Sequence, residues 1–232
     1  MPLTVPAAPY GFPLNGELSP ATSALMVIDM QVDFCAPGGF MDRMGVDLAP
    51  LRAPIEPISR VLSAMRDGGY TVVHTRETFR PDLSDVQPHR RFRGVGGEAV
   101  IPGDPGPLGR CLIRGEPCWD IIPELTPREG EAIFDKSAYG AFGSTDIQAY
   151  LAARGIANLV ITGVTTNCCI HLNLREALDR GYDCLVLEDC CGAATAESHE
   201  RSLAMMRSDD GVFGAIAPSS ALIEAIKAPR SP

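Results

Sequence analysis

The sequence predicts an α/β fold: a single domain built as a three-layer, Rossmann-like sandwich around a six-stranded, mainly parallel sheet. Three observations carry this. Short β-branched runs alternate with longer amphipathic stretches, the pattern left by βαβ units. The runs themselves are apolar at successive positions, as strands buried on both faces are. And 232 residues with 45% hydrophobic content are enough for the continuous core of one large domain.

The Pro-rich start MPLTVPAAPYGFPLNG is read as part of an N-terminal arm over about 1–20. The strands follow in order: LMVID at 25–29, TVVHT at 71–75, AIFDK at 132–136, LVITG at 159–163, CLVLE at 184–188 and VFGAI at 212–216. Helical patterns occupy 54–67, 144–154, 167–180 and 196–208. Gly68-Gly69, Gly155 and Gly181 follow three of them, where a left-handed residue commonly ends a helix. The stretch at about 80–128 is different: rich in Pro, Gly and Arg, with no sustained period. A loop that long in a compact domain is usually functional, so it is expected to act as a lid or a subunit contact.

The formal charge of −9 excludes the basic footprint of a nucleic-acid binder. No run reaches the roughly 18 apolar residues of a membrane span, and the start lacks the charged and apolar regions of a signal peptide, so a cytoplasmic location is expected. Among eight cysteines, Cys168-Cys169 and Cys190-Cys191 are adjacent pairs. Neighbours rarely meet disulfide geometry with each other, so reduced thiols are expected.

In an open parallel sheet, ligands gather beyond the carboxyl ends of the strands. Three chemically capable positions fall there: Asp29 after the first strand, Lys136 after the third, and the turn GVTTNCCIH after the fourth. Each alone also fits a structural role, a cap, a solvated lysine or a core cysteine. Together they suit nucleophilic catalysis. A cysteine in the first turn of a helix gains thiolate stabilisation from the backbone dipoles, and a nearby ammonium is expected to lower its pKa further. A carboxylate beside it can take the thiol proton and return it to a leaving amine.

These segments resemble the isochorismatase-like cysteine hydrolases, from about residue 9 to 226. ALMVIDMQVDF looks like the family's first strand, FDKSAYGAF like its lysine segment and TGVTTNCCI like its nucleophile turn. The resemblance implies Asp29 as general base, Lys136 as the essential lysine and Cys169, rather than Cys168, as nucleophile. It also implies a non-proline cis peptide between Val164 and Thr165, and an oxyanion hole made by the N–H groups of Thr165 and Cys169. Stretches such as PYGFPLNGELSP, HTRETFRPDL, RGEPCWDIIPEL and LEDCCGA are similar to the biuret-hydrolase branch of that family. A small ureide such as biuret, triuret, ureidoacrylate or guanylurea is the implied substrate, with Phe34 as a flat wall of its pocket.

His171 stands where the family has a small polar residue, Tyr139-Gly140 interrupts the lysine segment, and Asp209 replaces a neutral glutamine of the biuret branch. If Asp209 faces the substrate, it favours distal donors or cations. Family members that bind a metal use an Asp-x-His pair and a further His after the second strand. His74 lies inside the strand and His89 is isolated, so no metal or other cofactor is expected. A homo-oligomer is the expected assembly, with a vinyl-ether hydrolase or a non-catalytic scaffold as the rival readings.

Overall fold

The computed structural model describes residues 3–91 and 99–228; the rest of the arm's start and of the 80–128 excursion lies outside the described residues. Six strands form one sheet: β1 (Ser23–Ile28), β2 (Thr71–Glu77), β3 (Ala132–Lys136), β4 (Asn158–Val164), β5 (Asp183–Gly192) and β6 (Ala215–Ala217). Their order is β3-β2-β1-β4-β5-β6 and every pairing is parallel. The order reverses direction between β1 and β4, and such a switch point opens a crevice at the carboxyl ends of the strands.

Alternation along β1 and β4 divides the core between two layers. Leu25, Val27, Val160, Leu185 and Ala217 face one side, against Ile58, Leu62 and Met65 of α1 (Ile55–Asp67) and Leu222 of the C-terminal helix (Ser219–Lys227). Met26, Ile28, Leu159, Ile161 and Val186 face the other. There they meet Ile147 and Leu151 of α2 (Ile147–Ala152), Leu174 of α3 (His171–Leu178), and Leu203 and Met206 of α4 (Ala196–Met206), while the C-terminal helix is α5. This is a helix-sheet-helix sandwich.

The element predictions hold with shifted boundaries. The last strand is 215–217 rather than 212–216, because the residues before it form a turn with left-handed φ at Asp209 and Asp210. The helix expected over 167–180 begins as a wide π-type turn, Thr166–Ile170, and becomes α-helical only at His171. α5 was not anticipated: SSALIEAIK is short and follows the last strand directly, yet its Leu222 and Ala225 complete the α1 layer.

The arm closes the free edge of β6 through an antiparallel bridge between Ala8 and Ile216. It is anchored at Asp183, which accepts from the Tyr10 hydroxyl (2.9 Å) and the Leu14 N–H (2.6 Å). The excursion folds over the carboxyl end of the sheet and carries a small hairpin pairing Pro105–Gly106 with Gly109–Arg110. Asp33 holds it there. Its carboxylate accepts the N–H groups of Phe40 (3.0 Å) and Leu112 (2.7 Å), and burial pushes its pKa up to about 6 against those bonds. Among the described residues, no helix is long and apolar enough to cross a membrane.

Candidate active site

The strand register brings the charged groups together. Glu77 and Lys136 are direct partners at the carboxyl ends of β2 and β3, and Ile28 is opposite both Thr75 and Gly163. Asp29 follows at φ +54°, a left-handed conformation that aspartate tolerates. Its Oδ1 accepts from the Thr75 hydroxyl at 2.7 Å. The Val164–Thr165 peptide is cis, and the chain turns there into the π-type turn that carries Cys168 and Cys169. Gly163, at φ +119°, allows the close approach to β1: a Cβ on it would stand 2.0 Å from the Ile28 carbonyl oxygen.

The Lys136 ammonium is the centre of the constellation. It is fully buried, 2.7 Å from Asp29 Oδ2, 3.3 Å from Glu77 Oε2, 3.0 Å from the Ala138 carbonyl and 3.7 Å from Cys169 Sγ. Burial opposes its charge, but Asp29, Cys169 and Glu77 outweigh that and hold it protonated, well above the ordinary lysine range. One oxygen each of Asp29 and Glu77 and the Cys169 sulfur lie within 4.8 Å of one another. Such a trio could ligate a cation, but the ammonium already stands among these atoms and supplies the positive charge. His74 is committed to Glu131 at 2.9 Å and His89 is exposed, so neither joins the trio.

Glu77 was missed in the sequence, where the second strand was ended at Thr75. Two more residues of strand would have put it at the carboxyl end of the sheet. Gln31 clamps its backbone, accepting from the Glu77 N–H (2.7 Å) while donating to its carbonyl (3.1 Å) and to that of Trp119 (2.7 Å). Its side chain bridges two cations, Oε2 to Lys136 and Oε1 to Arg90 of the excursion. Burial alone would raise its pKa, yet Lys136 and Arg90 together hold it below the usual glutamate value. Asp29 has only one such cation, and burial wins there, raising its pKa.

The resting thiol differs from the sequence expectation. The hydrogen bond with Cys168 and burial push the Cys169 pKa well up, and the attraction of Lys136 does not compensate for Asp29 and Glu77 beside it. The residue is in a π-type turn rather than a regular first helical turn, and its SH donates to Glu77 Oε2 at 3.5 Å. Cys169 is thus flanked by two carboxylates, Asp29 and Glu77, that can receive its proton. All eight cysteines are free, and Cys168 is the one that is not fully buried.

A cavity of about 560 Å³ opens onto Cys169, with Phe34, Tyr139, Thr165 and Arg90 in its walls. Phe34 is buried, lines the cavity and meets Phe40 edge to face at 6.4 Å. Tyr139 enters the cavity from the lysine segment, and beside it a Cβ on Gly140 would stand 2.2 Å from Glu176 Oε2, so that the Glu176 carboxylate would have to move. His171 is not a wall residue; its Nδ1 accepts from Arg175 at 3.2 Å. Asp209 is a correction. The left-handed turn at 209–210 leaves it exposed and outside the cavity wall, with its carboxylate accepting from the Ser208 hydroxyl at 3.2 Å.

Comparison with known proteins gives a consistent set. The family described as isochorismatase domain matches residues 23–218. Ureidoacrylate amidohydrolase RutB of Methylobacterium radiotolerans is 30% identical over 93% of this chain and 84% of its own length. The protein of the same name from Serratia proteamaculans is 27% identical over 99% and 91%. A cysteine hydrolase from Pseudomonas syringae pv. phaseolicola superposes with a TM-score of 0.76 at 25% identity, covering 90% of this chain and 94% of that one. N-carbamoylsarcosine amidase from Thermoplasma acidophilum has the same fold, with a TM-score of 0.63 at 24% identity over 85% and 96%.

Proposed function

We propose that this chain, which belongs to the isochorismatase family, is a cysteine-dependent amidohydrolase that cleaves the C–N bond of a small ureide or related amide. The carrying observation is the buried set of Asp29, Lys136 and Cys169, in which Cys169 lines the cavity and the other two stand behind it. The amidohydrolases among its relatives support the bond type, and the ureide names among them support the substrate class. Biuret, triuret and ureidoacrylate are the compounds this reading puts first.

In this mechanism Asp29 takes the proton of Cys169 as substrate enters, and Lys136, 3.7 Å from the sulfur, stabilises the thiolate that results. The thiolate adds to the substrate carbonyl carbon, and the C=O electron pair moves onto oxygen. The N–H groups of Thr165 and Cys169 hold that oxyanion, donors typically worth about 2.7 to 4 kcal/mol each in a transition state. Collapse breaks the C–N bond, and protonated Asp29 gives its proton to the leaving nitrogen, so that ammonia or an amine departs. Asp29 then deprotonates a water that attacks the thioester or thiocarbamate, which releases the acid product and restores the thiol.

The same reading includes a homo-oligomer, which light scattering tests directly. The deciding experiment is an ammonia-release screen over biuret, triuret, ureidoacrylate, N-carbamoyl amino acids, guanylurea and nicotinamide, run on the wild type and on Cys169→Ser. At least one ureide should be turned over, and the variant should lose at least about a hundredfold in kcat. Retained turnover in Cys169→Ser, or activity on none of these compounds with Cys169 inert to iodoacetamide, refutes it.

A further inference from the structure

We infer that Arg90 sets the substrate specificity of this cavity, with its Nη2 group binding an acceptor oxygen carried by the ureide beyond the scissile C–N bond. The inference rests on the amidohydrolase reading above and deepens it. Arg90 comes from the short turn Pro88–Arg91 of the excursion, and only 4% of it is exposed. Its guanidinium is fixed on three sides. Nη1 donates to Glu77 Oε1, the Tyr139 ring lies under the group at 3.7 Å, and the Phe79 ring is 5.3 Å away. Nη2 is buried and has no hydrogen-bond partner among the described residues, although the residue forms part of the cavity wall.

A buried guanidinium N–H without an acceptor is uncommon, since the group has given up water and gained nothing in return. An acceptor delivered by a ligand removes that deficit. Glu77 and Tyr139 already hold the guanidinium, so a ligand has only to open the way to Nη2, which has almost no exposed surface of its own. The reach is set by Glu77 itself, whose Oε1 is bonded to Arg90 while its Oε2 accepts from the Cys169 thiol. Arg90 and the nucleophile thus occupy the two oxygens of one carboxylate, and the acceptor belongs a short chain from the scissile carbon. In biuret a single nitrogen separates the two carbonyl carbons, and in ureidoacrylate a nitrogen and two carbons separate the ureido carbon from the carboxylate.

Charge narrows the chemistry. Asp29 and Glu77 balance Lys136 and Arg90 within the site. A neutral carbonyl is thus as acceptable as a carboxylate, while a distal cation such as a guanidino group meets a donor of its own kind. This reverses the preference expected had Asp209 faced the substrate.

The test compares ligands that share the ureido group and differ beyond it: biuret with a distal carbonyl, ureidoacrylate with a distal carboxylate, and ethylurea with neither. Binding is measured by calorimetry on Cys169→Ser, so that turnover does not interfere, and then on Cys169→Ser/Arg90→Lys, which keeps the positive charge for Glu77 but loses the forked donor. With Arg90 intact, biuret or ureidoacrylate should bind at least about tenfold tighter than ethylurea, as expected of a site built to bond that oxygen. Arg90→Lys should remove that advantage and leave ethylurea within about twofold. A gain confined to one acceptor ligand identifies the oxygen as carbonyl or carboxylate. Equal affinity for all three ligands with Arg90 intact overturns the inference without needing the variant to fold, as does an unchanged ranking in a folded Arg90→Lys protein. If the wild type hydrolyses no ureide and Cys169 is inert, it is instead the amidohydrolase reading that has failed.

Discussion

Glu77 and Lys136 act on the same thiol with opposite sign, so two substitutions should move its titration in opposite directions. Glu77 Oε2 is 3.5 Å from Cys169 Sγ and Lys136 Nζ is 3.7 Å from it. At an effective dielectric near 20, unit charges at such distances interact by about 4 to 5 kcal/mol. Arg90 and Asp29 offset part of each field, so these values are upper bounds. Glu77→Gln removes a charge that raises the thiol pKa and leaves both cations in place, so the titration moves down. Lys136→Met removes the one that lowers it, so the titration moves up. In each case a shift of at least about one pH unit is expected, equivalent to about 1.4 kcal/mol. The assay is iodoacetamide alkylation against pH, followed by mass spectrometry of the Cys169 peptide in a Cys168→Ser background. Thermal melts must accompany it, because leaving one member of a buried ion pair unmatched costs about 3 to 5 kcal/mol. Shifts in the same direction, or no shift in a folded Glu77→Gln protein, refute the electrostatic account.

Three further outcomes follow from the same geometry. Burial raises the Asp29 pKa, so kcat/KM should fall on acidification through an inflection above the ordinary carboxylate range, and an inflection at or below that range contradicts the base assignment. Glu131 is held down to about 2 from 4.5 against its burial by bonds to His74 and Arg66, and a depressed carboxylate stabilises the fold at pH above its unfolded value. The stability deficit of Glu131→Gln should therefore be largest near neutrality, shrink below about pH 4.5 and vanish near pH 2, as denaturant titrations at several pH values will show. Gly163→Ala would drive a methyl against the Ile28 carbonyl, with no flexible side chain to yield, and should cost more than about 4 kcal/mol or abolish soluble expression; a Tm within a few degrees of wild type contradicts the packing described for β1 and β4.

What could be read from the sequence, and what could not, divides along a physical line. The strands were legible because LMVID, TVVHT and LVITG must be apolar on both faces to sit between two helical layers, a constraint written residue by residue. Asp29, Lys136 and the cysteine turn were legible because a charged or nucleophilic residue directly after such a run breaks its pattern at the end of the sheet where ligands bind. Glu77 broke the same pattern, but His74 and Arg76 had already interrupted the apolar run, and the strand was ended too early to notice. α5 escaped for the opposite reason: a nine-residue amphipathic segment at the end of a chain offers little periodicity to weigh.

Arg90 and Asp209 mark the limit more sharply, since each was a charged residue in a stretch without a period. Asp209 was expected at the pocket only through its match to a glutamine of the biuret branch, yet two consecutive left-handed residues turn that segment outward. Arg90 was one arginine among several in a Pro/Gly/Arg-rich loop, and nothing local distinguishes it from Arg91, which is exposed. What selects it is tertiary: a carboxylate at the end of β2 and an aromatic ring from the lysine segment, with Gln31 fixing the carboxylate's backbone. The chemistry of bond cleavage is thus encoded at strand ends, where sequence periodicity reveals it. The choice of substrate is encoded in a loop that acquires its geometry only from the groups it covers, so Arg90 becomes identifiable only once Glu77 has been placed.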